Sequence, residues 1–137
     1  MLKLDYDTRE ISFNDLKNCK TISYLKKELS EKNKNQFLFN VYNNQIGLTN
    51  NIILIEDEEE FYIVKGLEKI ELLKDFYEDK IKIDFINGNN IKNPYFSELK
   101  SSDKRKFKNC DRFRVVIVYK DIKDNTEEVI RTIYNSI

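Results

Sequence analysis

The sequence predicts an α+β fold, in which a small N-terminal sheet is crossed by one helix and followed by an α/β extension. Residues 2–6 and 10–13 alternate between apolar and polar side chains, which is the period of a half-buried strand. Ile22, Leu25 and Leu29 then recur at helical spacing. Apolar runs rich in β-forming residues follow, so the predicted order is strand, strand, helix and further strands.

The first two predicted strands form a hairpin, because the polar residues 7–9 between them favour a turn. Thr21 is a good N-cap, so we expect the helix over residues 22–32. Its narrow apolar stripe suits a helix that lies across one face of a sheet.

The middle of the chain adds further predicted strands. Residues 37–42 alternate, which predicts a strand. The apolar runs at 52–55 and 61–64 flank five adjacent acids at 56–60. This pattern predicts either a hairpin with an acidic tip or a loop followed by one strand.

The second half is predicted to mix helices and strands. Apolar residues beyond Gly66 recur at helical spacing, and Asn-Gly at positions 87 and 88 is a strong turn signal. We expect the seam between an N-terminal module, residues 1–67, and the extension, residues 68–137, near Gly66. The further elements predicted are a helix at 67–79, a strand at 81–85, a helix start at 94–100, its frayed end or a loop at 101–109, a strand at 113–119 and a helix at 127–136.

Composition limits the class of protein. The 137 residues fit one domain or two very small ones, and a hydrophobic fraction of 40% is enough for a core. Charged residues reach 35% but the formal net charge is zero, which argues against a generally basic nucleic-acid binder.

The cysteines and the N-terminus predict a soluble cytoplasmic protein. Cys19 and Cys110 are too few and too far apart for a zinc site or a disulfide framework, so we expect free thiols in a reducing compartment. The charged start is unlike a signal peptide. No apolar run approaches the roughly 18 residues of a membrane span, so we expect no membrane contact.

Residues 1–67 resemble the ubiquitin-like family. The heptapeptide Thr21-Ile22-Ser23-Tyr24-Leu25-Lys26-Lys27 resembles the helix start of that family. The resemblance implies a β-grasp module that binds other proteins. A single Gly66 stands where conjugated members carry a paired glycine tail, so a fixed docking module is implied and not a transferable tag. The segments that resemble the family's strands are 2–6, 9–13, 37–39 and 61–64.

The acidic run at 56–60 is one candidate site. Adjacent carboxylates repel one another, so the run is expected to be solvated, where it docks a basic protein, holds a divalent cation or only keeps a sheet edge soluble. The run is also similar to the acidic motif of PB1 domains, which meets a basic first strand on another copy. The residues predicted to bind a protein are Asp57, Glu58, Glu59 and Glu60, with Tyr95 and Phe96 as an exposed aromatic anchor or, alternatively, as core.

A basic segment at 100–114 is the second candidate site. Residues 69–137 carry a net charge of +3 and residues 1–68 a net charge of −3, so the chain is polarised. The segment could contact RNA or the ribosome, bind an acidic protein, or be a solvated loop. Its basic residues are Lys100, Lys104, Arg105, Lys106, Lys108, Arg112 and Arg114.

Catalysis is disfavoured on chemical grounds. The chain has no His, and its three isolated Gly form no phosphate-binding loop. We therefore expect a non-enzymatic protein-interaction module without cofactor, metal or small-molecule substrate. The alternatives are a small RNA- or ribosome-binding factor that uses residues 100–114, and a phage- or parasite-type inhibitor that mimics an acidic surface.

Overall fold

The computed structural model describes residues 5–22, 27–43, 52–83, 85–86, 89–90, 95–109, 112–120 and 125–135. Within them the chain combines a mixed five-stranded sheet with helices, so the predicted α+β class is confirmed. None of the described helices is long and apolar enough to span a membrane. The elements are β1 (Asp5–Ser12), α1 (Phe13–Lys17), β2 (Lys20–Thr21), α2 (Glu31–Tyr42), β3 (Ile52–Asp57), β4 (Glu60–Lys65), α3 (Leu67–Tyr77), β5 (Phe85–Ile86), β6 (Asn89–Asn90), a 3-10 turn (Phe96–Glu98), α4 (Ser101–Asn109), β7 (Arg112–Tyr119) and α5 (Thr126–Asn135).

The sheet has the order β1-β7-β3-β4-β2. β1 is antiparallel to β7, which is parallel to β3, while β3 and β4 are antiparallel and β4 and β2 are parallel. β7 comes from the second half of the sequence and lies between β1 and β3. The sheet therefore combines strands from both sides of the predicted seam between residues 67 and 68.

The two faces of the sheet carry different helices. Alternate residues of β7, such as Phe113 and Ile117, point into the larger core, which also contains buried side chains of α1, α2, α3 and α4. We call this the main face. Val118, on the other side of β7, packs in a smaller cluster with Ile55 of β3 and with α5. We call this the α5 face.

Three predictions of the sequence are confirmed without change of type. The runs at 52–55 and 61–64 form the antiparallel hairpin β3–β4, with the acids at its tip. Helix α3 follows Gly66, whose φ of 92° lies in the left-handed region that glycine enters most readily. The strand at 113–119 is β7.

The last helix is also confirmed, and its start has a clear cause. Asn125 Oδ1 accepts a hydrogen bond from the backbone N–H of Glu128 at 3.2 Å, so Asn125 caps α5. Val129, Ile130 and Ile133 then face inward, as their spacing predicts.

The predicted N-terminal hairpin is wrong. Residues 5–12 form one continuous strand that pairs along its whole length with β7, so residues 7–9 lie inside a strand and not in a turn. A ladder of long-range backbone hydrogen bonds overrides a weak local preference for a turn.

The predicted strand at 37–42 is helical, because it belongs to α2. Phe37, Leu38, Val41 and Tyr42 are buried, and this spacing is that of a helix. Ser30 starts the helix, since its Oγ accepts from the N–H of Asn33 at 3.2 Å. An alternation over only six residues is compatible both with a strand and with the buried stripe of a helix, so the sequence pattern did not distinguish them.

The helix predicted at 22–32 is wrong for Ile22 and for residues 27–30, whereas residues 31 and 32 are helical. Residues 27–30 have no regular structure, and helix begins only at Glu31. Residues 23–26 lie outside the described part of the chain. The β-grasp topology is accordingly not confirmed.

Three elements of the second half differ from prediction. A strand was predicted at 81–85, but residues 81–83 have no strand structure. The strand that forms there, β5, has two residues and pairs with β6. The described part of the helix predicted at 94–100 holds a single 3-10 turn. The segment at 101–109 forms helix α4, because Phe107 anchors it in the main core at 1% exposure.

Candidate functional site

The acidic hairpin tip turns on Glu58 and Glu59. Their φ angles are 52° and 67°, so both occupy the left-handed region, as in the tight two-residue turns of hairpins. Both side chains are exposed. Among the described residues, no group of three or more His, Cys, Asp or Glu converges to hold a metal ion.

Asp57 is engaged inside the protein. Its Oδ1 lies 3.4 Å from Lys120 Nζ, and its Oδ2 accepts from Thr126 Oγ1 at 3.2 Å. The Lys120 side chain is only 5% exposed, so Asp57 balances a buried cation and links the end of β3 to the start of α5. Asp57 therefore has a structural contact where the sequence predicted a docking contact.

Glu60 is likewise engaged. Its Oε2 lies 2.8 Å from Lys20 Nζ, and Tyr62 donates its hydroxyl to the same oxygen at 3.4 Å. Both partners of the ion pair are about half exposed, so this pair contributes little to stability. Of the predicted acidic residues, Glu58 and Glu59 project freely from the turn.

Tyr95 and Phe96, which were predicted together as an aromatic anchor, lie in different environments. The ring centroid of Phe96 lies 5.5 Å from that of Phe76 and 4.9 Å from that of Tyr77, both in edge-on contact. Phe96 therefore packs on the main core, which is the alternative that the sequence left open. Tyr95 is 37% exposed.

The basic segment does not form one surface. Helix α4 packs on the main face through Phe107, whereas Arg112 and Arg114 alternate with buried residues of β7 and are exposed on the α5 face. On α4, Lys106 Nζ lies 4.7 Å from the ring centroid of Tyr42. The remaining predicted residues lie on the main-face side, where Lys100, Arg105 and Lys108 are exposed and Lys104 is partly buried.

Strand β1 is the most accessible part of the sheet. It pairs with β7 on one side, and within the described chain no strand pairs with its other side. Residues 5–10 are all exposed. Thr8 donates its backbone N–H to Asp7 Oδ1 at 2.8 Å, so this amide points away from β7. Because the direction alternates along an antiparallel strand, the backbone groups of Tyr6 and Glu10 point the same way.

The α5 face is open beside β1. The inward residues of α5 pack with Ile55, Val64 and Val118, which lie on the three inner strands. Tyr6 stands opposite Val118 on β1 and is nevertheless 72% exposed. We call the outer side of β1 with its open α5 face the edge surface; its side chains are Tyr6, Thr8, Glu10, Arg112 and Arg114.

The edge surface is polarised along the strands. Asp5 is in register with Tyr119, which is in register with Glu56, so the acidic hairpin tip lies at the Asp5 end of the sheet. Arg112 lies at the other end, opposite Ser12. Sequence reasoning missed this surface because it divided residues 5–12 into two strands. The mostly polar run at residues 5–10 is the sequence signal that could have found it.

The described cysteine lacks the setting of a nucleophile. Burial raises the pKa of the Cys19 thiol, as does the nearby Asp15, and its Sγ donates to the carbonyl oxygen of Asp15 at 3.4 Å. Cys19 is a free thiol, as the sequence predicts. Cys110 lies outside the described residues, as does Lys3, the basic residue of the predicted first strand that the PB1-like pairing would use.

Comparison with known proteins found no family model, no curated protein and no solved structure that matches the chain.

Proposed function

We propose that this protein is a non-enzymatic binding module that docks a partner protein by adding a strand to β1. One observation carries the proposal: β1 is an eight-residue edge strand whose first six residues are exposed and whose outer side is paired with no strand of the described residues. Proteins normally cover, shorten or bend such an edge, because unpaired backbone groups recruit other strands. An edge that is long and open is a suitable site for strand addition by an extended peptide segment.

The side chains of the edge surface supply selectivity. Tyr6 offers a large exposed ring, and aromatic residues dominate the binding energy of protein interfaces. The charges at the two ends bias the direction of the added strand, since Asp5 lies at one end of β1 and Arg112 lies opposite Ser12 at the other. Arg114 is partly balanced by Glu10 opposite it. The expected partner strand therefore carries basic residues at the Asp5 end and acidic residues at the Arg112 end.

Photo-crosslinking in native lysate tests the proposal. With p-benzoylphenylalanine in place of Tyr6, we expect a crosslink to one discrete protein, and we expect this crosslink to form equally after RNase treatment of the lysate. The same photoreactive residue in place of Tyr95 serves as the matched control, because Tyr95 is exposed but lies outside the edge surface.

A backbone variant identifies the mode of binding. Thr8→Pro removes an N–H that faces away from β7 and that an added strand takes over from Asp7 Oδ1, so it blocks strand addition while leaving the β1–β7 ladder in place. Thr8→Val keeps the N–H and is the control. Loss of the position-6 crosslink in Thr8→Pro alone supports the proposal, provided that both variants melt like the parent. Equal crosslinking in the two variants contradicts it.

The other functions considered give different outcomes in the same experiment. An RNA- or ribosome-binding factor loses its crosslinks on RNase treatment. An inhibitor that mimics an acidic surface crosslinks from the hairpin tip at Glu58 or Glu59 and not from position 6. The ubiquitin-like relationship, the cytoplasmic location and the lack of enzymatic activity stay predictions, and strand addition to β1 depends on none of them.

A further inference from the structure

A cleft of about 360 Å³ lies on the main face between α1, α3 and α4. It is separate from the edge surface and starts where β1 ends. Its volume falls in the range of small-ligand sites, roughly 300–1,000 Å³. The lining residues that matter for its chemistry are Phe13, Lys17, Lys74, Tyr77, Glu78 and Lys108.

The cleft has an excess of positive charge. Lys17, Lys74 and Lys108 line it together with a single acid, Glu78, so its formal charge is +2. Glu78 Oε2 lies 3.7 Å from Nζ of a fourth lysine, Lys80, so the only acid among these lining residues already has a cationic partner. In the part of the chain that the structure describes, none of the three cleft lysines forms an ion pair with a carboxylate.

The lysines are arranged around an aromatic wall. Lys108 Nζ lies 4.6 Å from the ring centroid of Tyr77, and Lys17 Nζ lies 6.0 Å from that of Phe13. The two rings are in edge-on contact at 5.5 Å. Tyr77 is further held by its hydroxyl, which donates to the carbonyl oxygen of Phe107 at 3.0 Å. Cation–π attraction favours these positions of the amines.

We propose that this cleft binds a nucleotide. Its phosphate lies among the three ammonium groups, because lysine binds phosphate as a compact point charge. Its base lies against Phe13 and Tyr77, because aromatic side chains stack on nucleic-acid bases. Lys17 and Lys108, which lie over these two rings in the structure, turn to the phosphate when the nucleotide binds and leave the ring faces to the base. The same chemistry fits a free nucleotide or one nucleotide of a single-stranded RNA.

The cleft differs from the basic segment that the sequence nominated. It takes Lys108 from that segment but adds Lys17 and Lys74 from α1 and α3, which are far from it in sequence. Docking at the edge surface and binding in the cleft use different residues. An experiment can therefore contradict one of these two proposals and leave the other intact.

Titration of the full chain tests the proposal. The probes are AMP, ribose 5-phosphate, inorganic phosphate and a ten-nucleotide oligo(U), measured by calorimetry at low salt and again at higher salt. We expect AMP to bind more tightly than ribose 5-phosphate and inorganic phosphate, because only AMP carries a base. Tighter binding of oligo(U) than of AMP identifies RNA as the source of the nucleotide, and the reverse identifies a free nucleotide.

Two charge-matched variants separate the cleft from general electrostatics. The cleft variant is K17Q/K74Q/K108Q, and the control variant, K32Q/K82Q/R131Q, removes the same charge from exposed positions elsewhere. We expect at least a tenfold loss of affinity in the cleft variant alone. For an oligonucleotide, the slope of log K against log salt is expected to fall by about 0.7 in the cleft variant, because the three ammonium groups neutralise one phosphate.

Three results overturn the proposal. They are no binding of any probe at millimolar concentration, equal losses in the two variants, and inorganic phosphate binding as tightly as AMP. Because all six substituted side chains are exposed, both variants are expected to fold, which their melting curves check.

Discussion

Asp79 shows how one residue joins two elements that shape the cleft. Its φ of 61° ends α3 in a left-handed cap, in which Asp79 N–H donates to Phe76 O at 3.1 Å and Lys80 N–H donates to Asp75 O at 2.8 Å. Its carboxylate accepts from the N–H of Ser97 at 2.9 Å. This bond fixes the 3-10 turn that carries Phe96 against Tyr77, so it supports the aromatic wall.

The charge of Asp79 predicts a pH-dependent contribution to stability. Hydrogen bonds from Ser97 hold the pKa of Asp79 below its usual range. A lowered pKa stabilises the fold above the unfolded value of about 3.9, and this contribution is lost as the pH falls through the folded pKa. We therefore expect the urea midpoint of the parent to exceed that of Asp79→Asn at pH 7, with the difference shrinking below about pH 4. A difference that is constant with pH contradicts this account.

The hairpin β3–β4 forms although its turn residues are unsuitable. Glu58 and Glu59 both take the left-handed conformation, which costs a residue with a side chain about 1 kcal/mol or more. Adjacent acids at the tip add repulsion. Pairing of apolar β3 and β4 within the sheet offsets both costs, so the local sequence of the turn does not decide its geometry.

Replacement of the turn by Asn-Gly is expected to stabilise the protein. E58N/E59G supplies the residues that tolerate positive φ at both positions, so we expect a gain of about 1–2 kcal/mol in the free energy of unfolding. The control variant E58Q/E59Q removes the same charges but does not lower the cost of the positive φ angles. A higher melting temperature in E58N/E59G than in E58Q/E59Q supports backbone strain as the cause, and equal melting temperatures assign the effect to charge alone.

The whole molecule is organised around an asymmetric sheet. The main face carries the larger core and four helices, whereas α5 alone, among the described helices, packs on the other face. The Asp57–Lys120 pair and the Asp57–Thr126 hydrogen bond tie the start of α5 to the sheet. We infer that α5 is the first described helix to open, because the cluster beneath it is small.

Hydrogen exchange tests this order of opening. Asp57→Ala removes the carboxylate that lies 3.4 Å from the buried Lys120 ammonium and that accepts from Thr126, which is expected to cost about 1.5–3 kcal/mol. We expect α5 amides to exchange about tenfold or more faster in Asp57→Ala, at 1.4 kcal/mol per factor of ten, while α3 amides change little. Glu58→Ala, at the exposed neighbouring position, is the control. Equal acceleration in α3 and α5 would show that the molecule opens as one unit.

Predictions failed where long-range contacts decided the structure. Residues 7–9 have the local character of a turn but lie in β1, since the whole segment pairs with β7 more than a hundred residues later. Phe37 and Val41 fit a strand or a helix, and burial against α3 and α4 selected the helix. The cleft was not predictable, because Lys17, Lys74 and Lys108 meet only after folding.

By itself the sequence determined the α+β class and the elements α3, β7 and α5, because each of these elements has a local period or a local cap that few competing contacts oppose. It left the acidic hairpin as one of two alternatives, which the pairing of β3 with β4 decided. Only the tertiary structure decided that β7 enters the sheet between β1 and β3, which leaves β1 at an open edge and divides the basic residues between two faces. The physical reason is that side-chain periodicity fixes which face of a strand is apolar, whereas the choice of neighbouring strand depends on pairing between segments far apart in the chain.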